Sequence, residues 1–186
     1  MVNIAPRHVW APHADAMVAF VGLEGDVQSL SQELQAQVAA KLVDSSILNA
    51  GSRSKVMSPR TLASLTSHLL YRGRGRYYVE PLVVGLQPSS SRGESSSKPF
   101  LCAMDMIGAK SHSKAFVCAG AASKSLYGTA EALWRPNLSA EDLAKVCGKA
   151  FQSALERDCY SGYGALVYLI TQDGGIVEYD MPSRND

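Results

Sequence analysis

The chain has 186 residues, 46% of them hydrophobic, enough for one sizeable core and too few to expect two, so 1–186 reads as a single domain. Its 18 Lys and Arg balance 17 Asp and Glu, for a formal charge of +1. That balance argues against nucleic acid or a membrane surface as the partner, and no apolar run approaches the length of a membrane span.

The opening MVNIAPRHVWAPHAD lacks the long apolar core of a signal peptide. Cys102, Cys118, Cys147 and Cys159 have no C-x-x-C spacing and read as reduced thiols. A Cys102–Cys118 disulfide between adjacent strands is the less favoured reading. His8, His13, His68 and His112 are scattered without ligand spacing, so neither a metal site nor a cofactor is expected.

Residues 1–16 read as an irregular segment, broken by Pro6 and Pro12, with at most a short strand at Val9-Trp10. Residues 17–21 (MVAFV) form an apolar strand ending at Gly22. From Val27, the apolar residues Leu30, Leu34, Val38 and Leu42 recur at helical spacing, with Asp26 as N-cap and the end near Asp44-Ser45. Residues 49–55 are a loop. Ser58-Pro59 opens a second helix, cap first and proline at the first helical position, with Leu62, Leu65 and Leu69 inward. It stops at Arg72-Gly73-Arg74-Gly75, a basic glycine-rich stretch too short for a nucleic-acid tract.

Residues 77–87 make a strand whose Pro81 calls for an edge or a bulge. Residues 88–98 (PSSSRGESSSK) are a low-complexity, flexible hairpin loop. The strand 100–107 (FLCAMDMI) carries Asp105, a carboxylate in an apolar run that needs solvent, a partner or a role. Residues 108–113 turn, and 114–119 (KAFVCA) return as a strand. A helix over 124–134 follows, with Leu126, Ala130 and Leu133 inward.

Ser139 then caps a long helix, with Asp142 three residues on, and Val146, Cys147, Ala150, Phe151, Ala154 and Leu155 mark its apolar face. A buried strand over 165–170 follows. Asp173-Gly174-Gly175 turns the chain into a last strand at 176–181, and 182–186 are a tail. Helices in pairs and strands in hairpins predict an α+β fold: a four-layer α-β-β-α sandwich of antiparallel sheets with helix pairs outside.

Between the long helix and its strand stands Arg157-Asp158-x-x-Ser161-Gly162. This motif resembles one in proteasome core-particle beta subunits, where the aspartate and serine sit beside an N-terminal threonine nucleophile. Alone it is weak, because Asp158 could pair with a nearby cation and Ser161-Gly162 could be ordinary turn chemistry. Four further blocks are similar to the same family in the same order. They are FVGLEGDVQSL from Phe20; YYVEPLVVG from Tyr77 with PFLCAMDMIG from Pro99; GAASKSLYG from Gly120; and LWRPNLSAEDL from Leu133. Among the beta subunits they resemble the non-catalytic third type, from about residue 9 to the C-terminus.

The resemblance implies the N-terminal-nucleophile hydrolase fold. It also implies a place in a beta ring of the core particle, in cytoplasm and nucleus, serving ubiquitin-dependent protein degradation. Partners would be other beta subunits of the same ring, the opposite beta ring and the alpha ring, with no nucleic acid and no membrane. Two departures bear on catalysis. The chain begins Met1-Val2, and the first recognisable block is already the strand before the first helix, so the family's opening hairpin is expected to be lacking. Ala121 stands where active members carry a serine.

Acyl transfer needs an activated nucleophile with a base in reach, and Asp158 with Ser161 supplies neither. The expectation is therefore a non-catalytic structural subunit with no catalytic residues, in which Asp158, Ser161 and Gly162 are structural remnants of the motif. Asp105 would contribute to a neighbouring subunit's substrate pocket, or else pair with Lys110 or Lys114. Two alternatives stay open: a free-standing threonine-type hydrolase with a misannotated start, and a small interaction domain of the same fold.

Overall fold

The computed structural model describes residues 8–48, 57–88, 97–161 and 164–181. Seven strands and four helices occupy them, in antiparallel sheets. The first five strands, β1 (Val9–His13), β2 (Ala16–Gly22), β3 (Val79–Pro88), β4 (Ser97–Met104) and β5 (Lys110–Ser113), form one sheet in sequence order. β6 (Ala165–Thr171) and β7 (Gly175–Met181) form a separate hairpin. β1 lies within the stretch read as irregular. Pairing with β2 makes it a strand despite Pro12, with the register shifting between Trp10 and His13 at a sheet edge.

The strands of the five-stranded sheet alternate. Ala16, Val18 and Phe20 of β2, Val79, Pro81, Val83 and Gly85 of β3, and Phe100, Cys102 and Met104 of β4 are buried. They share a core with two helices, α1 (Glu24–Leu48) and α2 (Pro59–Arg72), through Leu30, Leu34, Leu62, Leu69 and Leu70. Truncating any one of these leucines to Ala would cost about 2–5 kcal/mol. On the opposite face Ala19, Val21, Leu82, Val84 and Leu101 are only half-buried.

α1 begins at Glu24, before the expected start, so Asp26 is not its N-cap. The Asp26 carboxylate instead accepts the backbone N–H of Tyr78 at 2.9 Å, tying the helix start to the entry of β3. α2 begins as its sequence predicts: the Ser58 side chain accepts the Thr61 N–H at 3.2 Å, with Pro59 in the first turn.

Pro81 is neither at an edge nor at a bulge. It stands in the central strand, opposite Phe20, in an unbroken register with β2. Leu86 donates to Asp15 and Tyr78 accepts from Leu23, so the even-numbered residues of β3 turn their amides toward β2. Pro81 therefore faces β4, whose pairing with β3 begins only at Leu82. The missing N–H falls just past the end of that ladder, where no bond is lost.

The β4–β5 hairpin also departs from its reading. β4 ends at Met104, β5 is Lys110–Ser113, and residues 114–119 have no regular pairing. The turn is tight enough to put Lys110 opposite Met104, so the ladder is finished before the apolar run begins. Phe116 packs instead against Tyr127 and Trp134, at ring-centroid distances of 6.0 and 6.4 Å.

α3 (Ser123–Leu133) and α4 (Ala140–Leu155) pack on each other, and the Thr129 hydroxyl donates to the Ala150 carbonyl at 2.9 Å across their contact. Leu133, expected inward, is exposed at the end of α3. Ser139 caps α4, accepting the Asp142 N–H at 3.2 Å and donating to the Asp142 carboxylate at 2.7 Å. α4 rests on β6: Gly148, Ala150 and Ala154 are buried, and small residues there let Met181 and Val167 close over the helix. Cys147, expected on this buried face, is exposed, and all four cysteines are free.

Candidate functional site

Asp158 and Ser161 lie in the turn that leaves α4. The Ser161 hydroxyl donates to Asp158 Oδ2 at 2.6 Å, and the Tyr160 N–H donates to Oδ1 at 3.1 Å. One carboxylate thus closes the turn from both oxygens. The Ser161 hydroxyl first, and the Tyr160 N–H second, hold the Asp158 carboxyl below the usual carboxylate range. Gly162 lies outside the described residues.

A serine nucleophile needs a base that takes its proton. Ser161 gives its hydrogen bond to a carboxylate whose lowered pKa makes it a weak base, and three of the four histidines are engaged elsewhere while His68 lines a groove on α2. His13 bonds the Met57 carbonyl at 2.7 Å, His8 approaches Glu24 at 3.4 Å, and His112 packs on the Phe100 ring at 5.5 Å. Ala121, exposed after the positive-φ Gly120, offers no hydroxyl. Among the described residues, no three His, Cys, Asp or Glu side chains converge to hold a metal ion, and no helix is long and apolar enough to cross a membrane.

Asp105 sits one residue past the C-terminal end of β4 and is exposed to solvent. Its Oδ1 accepts the N–H groups of Ile107 at 3.0 Å and Ala109 at 2.8 Å. Its own backbone N–H donates to Ala109 O at 3.2 Å, and its carbonyl accepts from Gly108 at 3.0 Å. This is an Asx-type turn. Among the described residues neither Lys110 nor Lys114 forms an ion pair with Asp105, so the expected salt-bridge alternative is replaced by a backbone one.

The turn is docked on α2, where Ser67 Oγ donates to Gly108 O at 2.6 Å. Gly108 has φ +85°, and a Cβ there would press into the Ser67 carbonyl, so both conformation and space require glycine. Beside the contact runs an open groove of about 410 Å³, lined by Ser64, Ser67, His68, Tyr71 and the turn residues Ile107–Ala109.

A third cluster escaped the sequence reading. Glu33 on α1 accepts from Arg72 Nη2 at 2.6 Å and from the Tyr77 hydroxyl at 2.7 Å. The Tyr77 hydroxyl is the main cause that lowers the Glu33 pKa; partial burial opposes it, and Arg72 lowers it further. The same bond raises the Tyr77 pKa. The partners are 39 and 44 residues away in sequence, so no local pattern marks them.

The described residues form antiparallel sheets and helices with a hydrogen-bonded Asp-Ser turn, and comparison with known proteins agrees with the motifs. A family described as "Proteasome subunit" matches residues 7–170. The chain belongs to the proteasome subunit family. It is similar to "Proteasome subunit beta type-3" of Oryza sativa subsp. japonica, with 39% identity over 166 residues, 89% of this chain and 74% of that one. The protein of the same name from Picea mariana is 36% identical over 181 residues, 97% of this chain and 81% of its own. That from Saccharomyces cerevisiae is 38% identical over 126 residues, 67% of this chain and 58% of its own. In this proteasome subunit the motif residues Asp158 and Ser161 stand together, while Asp105 belongs to a separate turn next to α2.

Proposed function

We propose that this proteasome subunit is a non-catalytic, beta-type member of the core particle, working as part of the ring wall in ubiquitin-dependent protein degradation. The observation that carries the reading is the closed Asp158–Ser161 turn, in which the hydroxyl is bonded to a carboxylate whose lowered pKa makes it a weak proton acceptor. Ala121, and the similarity to beta type-3 subunits over most of the chain, support it. Asp158, Ser161 and Gly162 are then structural remnants of the motif, and Asp158 with Ser161 closes the turn that leaves α4.

The whole chain serves as one domain, a four-layer α-β-β-α sandwich. α1 and α2 cover the five-stranded sheet, α3 and α4 cover the β6–β7 side, and the half-buried inner faces meet. Its partners are beta subunits of its own ring, the opposite beta ring and the alpha ring, and its compartments are cytoplasm and nucleus. Asp105, exposed on its turn, presents a negative charge to the substrate cleft of an adjoining subunit and favours basic side chains there.

An affinity-tagged copy of the chain, expressed in its own cells and examined by native mass spectrometry, tests the reading. Recovery inside a very large particle beside other proteasome subunits is the expected result. A lone species of 19.9 kDa would sink it.

A further inference from the structure

The end of α2 carries three arginines in five residues, Arg72, Arg74 and Arg76, among the tyrosines Tyr71, Tyr77 and Tyr78. Arg72 and the Tyr77 hydroxyl together grip the Glu33 carboxylate at 2.6 and 2.7 Å, and Arg76 acts on the same carboxylate at longer range. Arg74 and Arg76 lie beyond the helix end, are exposed, and form no ion pair among the described residues. Each is nevertheless placed against a ring. The Arg74 guanidinium stands 4.3 Å from the Tyr71 ring centroid and that of Arg76 stands 5.4 Å from Tyr77. Stacking on an aromatic face limits the freedom of a guanidinium and leaves its N–H edge open to a carboxylate. The cluster thus keeps two exposed guanidiniums on tyrosine faces beside one that already holds a carboxylate.

Tyr71 also lines the groove of about 410 Å³ between α2 and the β4–β5 turn, where Ile107 is exposed. Apolar wall and free guanidinium are therefore neighbours. We infer that this surface, Arg74 and Arg76 with the groove beside Tyr71, is a docking site for an extended acidic segment of an adjoining subunit. One carboxylate would meet the arginines and a nearby apolar side chain would enter the groove.

Charge complementarity commits the site to a protein partner. Tyr71 and Tyr78 keep exposed ring surface, so the decision against single-stranded nucleic acid rests on charge. Two spare arginines make too few phosphate contacts for stable binding at physiological salt.

This inference rests on the ring-subunit reading, and one experiment separates the two. A benzophenone amino acid placed at position 78, where the tyrosine side chain is 69% exposed, leaves the core undisturbed. The tagged full chain is expressed in its own cells, the particle is purified and irradiated, and the cross-linked peptide is identified by mass spectrometry. The expected product joins position 78 to a segment of another core-particle subunit bearing Asp or Glu within a few residues of the cross-link. R74E/R76E should lower its yield by about tenfold, and reversing the identified acid to Lys should restore it.

If R74E/R76E fails to enter the particle, entry regained with the reversed partner reports the same contact, and no regain overturns it. An RNA adduct, a partner segment without acids, no adduct in the intact particle, or an R74E/R76E yield equal to wild type each overturns the docking site alone. Absence of the wild-type chain from any particle overturns the ring-subunit reading and the docking site with it.

Discussion

Asp105 has two separable properties, a charge and a pair of backbone bonds, and two substitutions divide them. Asp105→Asn keeps an Oδ1 acceptor for the Ile107 and Ala109 amides, now held at 3.0 and 2.8 Å, and removes the charge. Asp105→Ala removes both. A hydrogen bond to a charged group contributes about 1.5–3 kcal/mol and a neutral one about 0.5–1.5. The turn is solvent-exposed, so water takes up much of what is lost, and the lower ends of these ranges apply. Asn should therefore cost about 2 kcal/mol and Ala about 3 kcal/mol of turn stability.

A carboxylate at the wall of a neighbour's cleft favours a basic substrate side chain by about 0.5–1 kcal/mol, or roughly two- to fivefold in kcat/KM. Purified particles carrying each variant are assayed with peptides cleaved after basic, acidic and apolar residues, at low salt and at roughly 0.5 M salt. Cleavage after basic residues should fall by that factor in both variants, the other activities should hold, and the wild-type advantage should shrink in salt. If Asn matches wild type while Ala lowers every activity together with particle stability, Asp105 only closes its turn and the pocket reasoning is wrong.

Three further outcomes follow from the same geometry. Tyr77→Phe removes the hydroxyl bond to Glu33 and should lower stability by about 1–2 kcal/mol in thermal unfolding of the full chain followed by circular dichroism. Because the folded Glu33 pKa is lowered from 4.5, the stabilisation is fully present above that value and fades as pH falls through the lower folded one. The gap between wild type and Glu33→Gln should therefore close on acidification, and a gap independent of pH would contradict the assignment. Gly108→Ala meets the Ser67 carbonyl at φ +85° and should cost about 1–3 kcal/mol, read as a lower melting temperature; an unchanged melt would show that the β4–β5 turn is not docked on α2. Ser161→Ala should leave every peptidase activity of the particle at wild-type level, because its hydroxyl is bonded to Asp158; peptidase activity of the homogeneous chain that Ser161→Ala abolishes would make the protein a serine enzyme.

What could be read in advance is what a few neighbouring residues decide. Ser58 before Pro59 and Ser139 before Asp142 mark helix starts, because a cap satisfies amides within the next turn. The Asp158–Ser161 turn is equally local. The errors arise where strand register or a distant partner decides. KAFVCA has a strand's composition, yet residues 114–119 stay unpaired, because the two amides held by Asp105 make the preceding turn so tight that KSHS takes the ladder. Pro81 has an edge strand's chemistry and sits in the central strand, because its missing amide points past the end of the β4 pairing.

The same division runs through the basic stretch after α2. Read along the chain, Arg72 to Arg76 is a helix stop with surplus charge. In space Arg72 bonds a carboxylate delivered by α1, while Arg74 and Arg76 are set on tyrosine rings and form no ion pair among the described residues. Helix termination needs only Gly73, whose N–H already bonds the Leu69 carbonyl. Arg74 and Arg76 add cationic contacts to Tyr71 and Tyr77, and exposed like charges close in sequence repel each other. On the docking proposal a second chain brings an acid that offsets this repulsion, which joins the surface to assembly as well as to folding.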